Sequence, residues 1–77
     1  MTLHTLKIEE CFYDAKIAGD KLFEIRYNGD RGFQKGDGVR YTSTNGLVPF
    51  EGLFIITYVS SFEQKDGFVV FGEKRTN

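Results

Sequence analysis

The sequence predicts an α+β fold, with one N-terminal helix followed by a strongly curved, mostly antiparallel sheet or small β-barrel. Three observations predict it. Residues Ile8 to Ala18 repeat their apolar positions at helical spacing, and four later segments carry strand patterns. With 77 residues, the chain has length for one domain, residues 1–77, and no more. A domain this short buries only about 60% of the surface that its unfolded chain exposes. Eight Phe and four Tyr compensate, because each ring buries a large apolar area.

Met1 to Lys7 alternates loosely and reads as a short first strand or extended lead-in. In the helix, Ile8, Cys11, Phe12, Ala15 and Ala18 fall on one face, which is expected to be buried. Glu9 and Glu10 suit the positive end of the helix dipole, Lys16 suits the negative end, and Gly19 supplies a left-handed stop. Lys21 to Tyr27 reads as a strand with Phe23, Ile25 and Tyr27 on one face and Leu22, Glu24 and Arg26 on the other. Turn residues fill Asn28 to Gly32, and Gly36-Asp37 marks a second tight turn. Val39 to Thr42 is a short strand, Asn45-Gly46 signals a hairpin, and Pro49 ends that connection. Leu53 to Val59 is apolar on both faces and is expected to be central. Gln64 to Gly67 is a turn, Phe68 to Phe71 the last strand, and Lys74 to Asn77 a frayed tail. The expected core includes Phe12, Ala15, Phe23, Ile25, Ile55 and Val69.

Composition narrows the function classes. The formal net charge of −1 argues against a general coater of duplex nucleic acid, which is strongly basic. A single cysteine, Cys11, excludes an internal disulfide and a multi-cysteine zinc site, and its place on the apolar face reads as core packing. Nothing approaches the roughly 20 apolar residues of a membrane span, and Met1 to Lys7 has no run of signal length. The expected compartment is cytoplasmic, with no membrane partner. No metal-ligand pairing, serine nucleophile motif or phosphate-cradling glycine loop is present, so no metal, cofactor or catalytic residue is assigned.

The stretch Gly19-Asp20-Lys21-Leu22-Phe23-Glu24-Ile25-Arg26 carries the most chemistry. Glu24 and Arg26 share a strand face, and Lys21 precedes it. Two cations there can hold a phosphate while Glu24 orients them or accepts from a base amino group. The structural alternative is an ion pair on a strand face, which contributes little when exposed.

This stretch resembles the Gly-x-Lys-x-x-Glu-x-Arg motif of ASCH domains, a branch of the PUA-like superfamily. Nearly the whole chain resembles the DUF3850 group more closely. The matching segments are His4-Thr5-Leu6-Lys7, the Asn28-to-Arg31 loop, Phe33-Gln34-Lys35-Gly36-Asp37, and Gly67-Phe68-Val69-Val70-Phe71-Gly72. Gly29 is one extra residue in that loop, and Asp20 stands where relatives are often basic. The resemblance implies a PUA-like β-barrel closed by the helix and a role in binding RNA or a modified nucleotide. The implied binding residues are Lys21, Glu24, Arg26, Asn28 and Arg31, with His4 and Lys7 as additional candidates. Asn28 and Asp30 also suit plain turn chemistry, and a lone histidine such as His4 suits a structural hydrogen bond.

Two alternatives stay open. One is a small amidohydrolase acting on a modified nucleoside. Such ASCH enzymes use the motif Lys, a Thr three positions on and a distant Glu; here only Lys21 matches, and Glu24 stands at the Thr position. The other is a phage or mobile-element accessory domain with a protein partner, which would cover an exposed Phe/Tyr patch.

Overall fold

A computed structural model describes residues 1–29 and 31–77; Asp30 lies outside the described residues. The order is β1 (Leu3–Lys7), α1 (Glu10–Ile17), β2 (Phe23–Tyr27), β3 (Gly38–Thr42), β4 (Pro49–Ser60) and β5 (Phe68–Arg75). The strands form one five-stranded sheet in the order β1-β3-β4-β5-β2. It curls into a half-barrel. The fold is therefore α+β, as expected, but the sheet is mixed: β1 pairs with β3 in parallel, and the other three pairs are antiparallel. A parallel pair needs a long crossover, and the chain supplies one through α1 and β2 before it returns to β3.

Curling brings the two edge strands within side-chain reach. Arg26 on β2 donates from Nη2 to the Lys7 carbonyl of β1 at 3.0 Å. Arg31 donates from Nη1 to the Thr5 carbonyl at 3.4 Å. Arginine side chains thus bridge the seam where backbone pairing stops.

β4 occupies the middle of the sheet, in line with its apolar pattern on both faces. The core gathers Leu6 from β1, Val39 and Tyr41 from β3, Phe54 and Ile56 from β4, and Val69 and Phe71 from β5. Phe33 and Ile8 from the loops and Tyr13 from α1 complete it. The hairpin between β3 and β4 turns at Gly46, and the Gly36-Asp37 turn also carries a left-handed glycine. Beyond Phe71 the last strand continues. Lys74 pairs with Ile55, Arg75 with Phe54, and the Asn77 side chain bonds both the Leu53 amide and the Glu51 carbonyl. The expected frayed tail is instead hydrogen-bonded to β4.

Helix α1 ends as its sequence predicts. Gly19 has φ +83°, its amide bonds the Lys16 carbonyl, and the Asp20 amide bonds the Ala15 carbonyl. That pair of bonds is a Schellman stop. Its buried face, however, differs from the expected one. Cys11, Phe12 and Ala18 are exposed and Ala15 is half-buried, while Tyr13 and Lys16 point inward. Tyr13 stacks on Phe50 at 4.4 Å and accepts the Gly52 amide at 2.7 Å. A Cβ at position 52 would stand 2.6 Å from the Tyr13 hydroxyl, so glycine admits this docking.

β2 is the second correction. Its alternation is as read, but its phase is inverted. Glu24 is buried at 4% exposure, whereas Phe23, Ile25 and Tyr27 are 46%, 53% and 56% exposed. Of the expected core, Val69 is buried, Ile55 and Ala15 are half-buried, and Phe12, Phe23 and Ile25 face outward. The physical reason is the set of cations that meets Glu24 inside the curl.

A cation-rimmed candidate cleft

Glu24 is turned inward because three cations converge on it. The Lys16 ammonium, reaching in from α1, lies 2.7 Å from Oε2. The Lys21 ammonium lies 2.6 Å from the same oxygen, and Arg26 donates from Nε to Oε1 at 2.9 Å. Burial works to raise the Glu24 carboxyl pKa, but the hydrogen bonds from Lys16 and Lys21 and the nearby charges hold it below the usual carboxylate value.

The network continues into the barrel. Lys16, fully buried, also pairs with Glu73 on β5. Glu73 accepts the Tyr41 hydroxyl at 2.7 and 2.9 Å. Burial, together with the adjacent Glu73 charge, pushes the Tyr41 phenol well above its ordinary pKa. Tyr41, Glu73, Lys16 and Glu24 therefore form a satisfied polar chain through the core, ending on the cations at the surface. No buried side-chain polar atom lacks a partner among the described residues.

That surface end opens into a cleft of about 460 Å³ between α1 and β2. Lys7, Lys21, Glu24 and Arg26 line it, with the half-exposed rings of Phe12 and Phe23, and Ile25 and Glu9 on its wall. The Lys21 ammonium sits 5.0 Å from the centre of the Phe23 ring. A smaller cavity of about 270 Å³ adjoins at the seam, lined by Leu6, Arg26, Tyr27, Arg31 and Phe33. Arg26 is common to both.

The other candidates lie apart. Asn28 is committed to the turn: its Oδ1 accepts the Phe33 amide at 2.8 Å, and its own amide bonds the Gly67 carbonyl. His4 is buried, 2.8 Å from Asp37 Oδ2, with its ring 4.6 Å from Phe33. Burial works to raise the Asp37 carboxyl pKa, but bonds from His4, Thr2 and Gln34 outweigh it and hold it low. Both residues hold loops in place and reach neither cleft. The sequence reading gave Lys16 a helix-dipole role alone and missed its buried ion pairs. One signal pointed to them: Lys16 follows Tyr13 by three residues, so the two share a helix face.

Among the described residues no cluster of side chains suits a metal ion, and no helix is long and apolar enough to cross a membrane.

A half-barrel sheet, one short docked helix and a cleft rimmed by cations around a buried carboxylate define a small α+β domain with a charged core. The chain belongs to the DUF3850 family, whose model, described as a domain of unknown function, matches residues 3–72. A comparison with curated proteins returned no match.

Proposed function

We propose that the cleft between α1 and β2 binds a nucleotide, either modified or within single-stranded RNA, and that the curled sheet is a PUA-like scaffold for it. One observation carries this reading: Lys7, Lys21 and Arg26 border the same open cleft as the exposed rings of Phe12 and Phe23. Cations answer a phosphate, and rings answer an unpaired base. Both oxygens of Glu24 are already occupied, so its role is to fix the two surface cations in place. The near-neutral net charge suits a short or single-stranded ligand better than long duplex.

The test is binding of fluorescein-labelled tetra-adenylate and tetra-uridylate RNA. Arg26→Ala is expected to weaken binding by about 1.5–3 kcal/mol, the size of hydrogen bonds to a charged group. Arg26→Lys recovers only part, because an ammonium lacks the planar fork. Arg26 also bridges to β1, so Lys21→Ala serves as the second variant, and thermal unfolding confirms that both are folded. Folded variants that bind both RNAs as tightly as the parent would remove the cleft from consideration.

A second reading has its own observation. Ile25, Tyr27, Tyr58 and Phe62 are more than half exposed, which suits a protein contact. Hydrogen exchange separates the two at Tyr58 to Phe62: a nucleotide protects Lys21 to Arg31 and leaves that segment unchanged, whereas a protein partner on the outward row protects it as well.

A further inference from the structure

We infer that the site takes a strand of at least two nucleotides, not a mononucleotide, and that Arg26 and Arg31 contact successive phosphates along the β1–β2 seam. This rests on the nucleotide-binding reading above. Three observations carry it.

The first is continuity. Arg26 lines both the larger cleft and the seam cavity, so the two form one track crossing the barrel edge. A mononucleotide fills the larger cleft and leaves the seam cavity empty.

The second is spacing. Arg26 and Arg31 are anchored on the carbonyls of Lys7 and Thr5, two residues apart on one strand. Such carbonyls lie about 6.6 Å apart at the rise of a β-strand. That matches the separation of neighbouring phosphates in an extended single strand. The anchors are neutral carbonyls, and guanidinium bonds to phosphate are the stronger ones. Among the described residues, Arg26 Nη1 has no partner, which leaves it able to meet a phosphate while Nε and Nη2 keep their bonds.

The third is the wall chemistry. Each part of the track pairs cations with an exposed ring: Lys21 with Phe12 and Phe23 in the cleft, Arg31 with Tyr27 at the seam. Rings at both stations accept a base without reading its edge. The expected ligand is therefore a short single-stranded segment with weak sequence preference. Glu9 on the cleft wall repels a further phosphate there, which favours a base at that end.

The experiment compares adenosine 5′-monophosphate with tetra-adenylate RNA, by calorimetry, on the full chain. The parent is expected to bind the tetranucleotide at least tenfold more tightly. Arg31→Ala should weaken tetranucleotide binding about tenfold. It should also flatten the slope of log K against log salt by about 0.7, the loss of one phosphate contact on a single strand. Binding of the monophosphate should not change. Lys21→Ala should weaken both ligands, and Lys74→Ala, on the exposed end of β5, neither. Equal affinity for the two ligands, or an Arg31→Ala effect of the same size on both, overturns the two-phosphate track while leaving nucleotide binding intact. If neither ligand binds the folded parent, the underlying reading fails as well.

Discussion

Glu24 and Phe23 are neighbours whose surroundings reverse what their chemistry suggests. The carboxylate is inside because Lys16, Lys21 and Arg26 surround it, and the ring is outside beside the cleft. Phe23→Ala should therefore shift the urea midpoint only slightly, within the range of surface substitutions. Phe71→Ala, at a fully buried position, should cost about 3–5 kcal/mol. Parallel urea titrations check the pair, and a large loss for Phe23→Ala alone would place that ring inward. Lys16 gives the sharper case. Replacing it with methionine leaves the buried Glu73 without its cation and Glu24 with two of its three, which costs roughly 3–5 kcal/mol when one partner of a buried pair is removed. Adding Glu73→Gln should recover part of that loss, since one buried charge disappears and Tyr41 keeps an acceptor. A double variant whose loss equals the sum of the Lys16→Met and Glu73→Gln losses would show that the two residues are not coupled.

Among the elements, α1 is the least secured by apolar burial. Its eight residues are too few to be stable alone, and its main inward groups are Tyr13 and Lys16. Docking thus depends on the Tyr13 hydroxyl, which accepts the buried Gly52 amide. Tyr13→Phe leaves that amide unpaired and should destabilise the fold by about 1–3 kcal/mol, with faster hydrogen exchange at Gly52. Unchanged exchange there would mean that the amide finds another acceptor. The elements also show where the sequence was readable. Leu53 to Val59 announced a central strand by being apolar on both sides, and Gly19, Gly36 and Gly46 marked turns because only a residue without Cβ takes left-handed backbone easily. Alternation in β2 was visible, but alternation separates two faces without saying which is inside. Hydrophobicity favoured Phe23, Ile25 and Tyr27, yet the deciding partner, Lys16, lies on another element. The same limit hid Lys16 and Phe12 from the candidate site. Lys21, Glu24 and Arg26 are close in sequence, and the family resemblance added Lys7 and Arg31, whereas Phe12 read as core and lines the cleft only in the folded chain.

For the whole molecule, the charged core makes stability depend on pH at both extremes. Glu24 and Asp37 have carboxyl pKa values held below their ordinary 4.5 and 3.8. When pH falls through those ordinary values, the unfolded chain takes up protons that the folded chain still refuses. Their stabilisation is therefore complete above about pH 4.5 and is lost progressively below it. Tyr41 acts in the opposite sense. Its folded pKa is raised, so above its ordinary value of 10.0 the unfolded chain loses a proton that the folded chain keeps, and stability falls as pH rises. The urea midpoint should thus decline on both sides of a neutral plateau. Tyr41→Phe should remove part of the alkaline decline, at a cost in neutral stability because Glu73 loses the hydrogen bond from the phenol, which its two oxygens share. Asp37→Asn should lower the plateau yet flatten the acid limb, since an amide keeps some of the bonds to Thr2, His4 and Gln34 but does not titrate. An acid limb equally steep in Asp37→Asn and in the parent would assign the acid sensitivity to other carboxylates, with Glu24→Gln as the next variant to titrate.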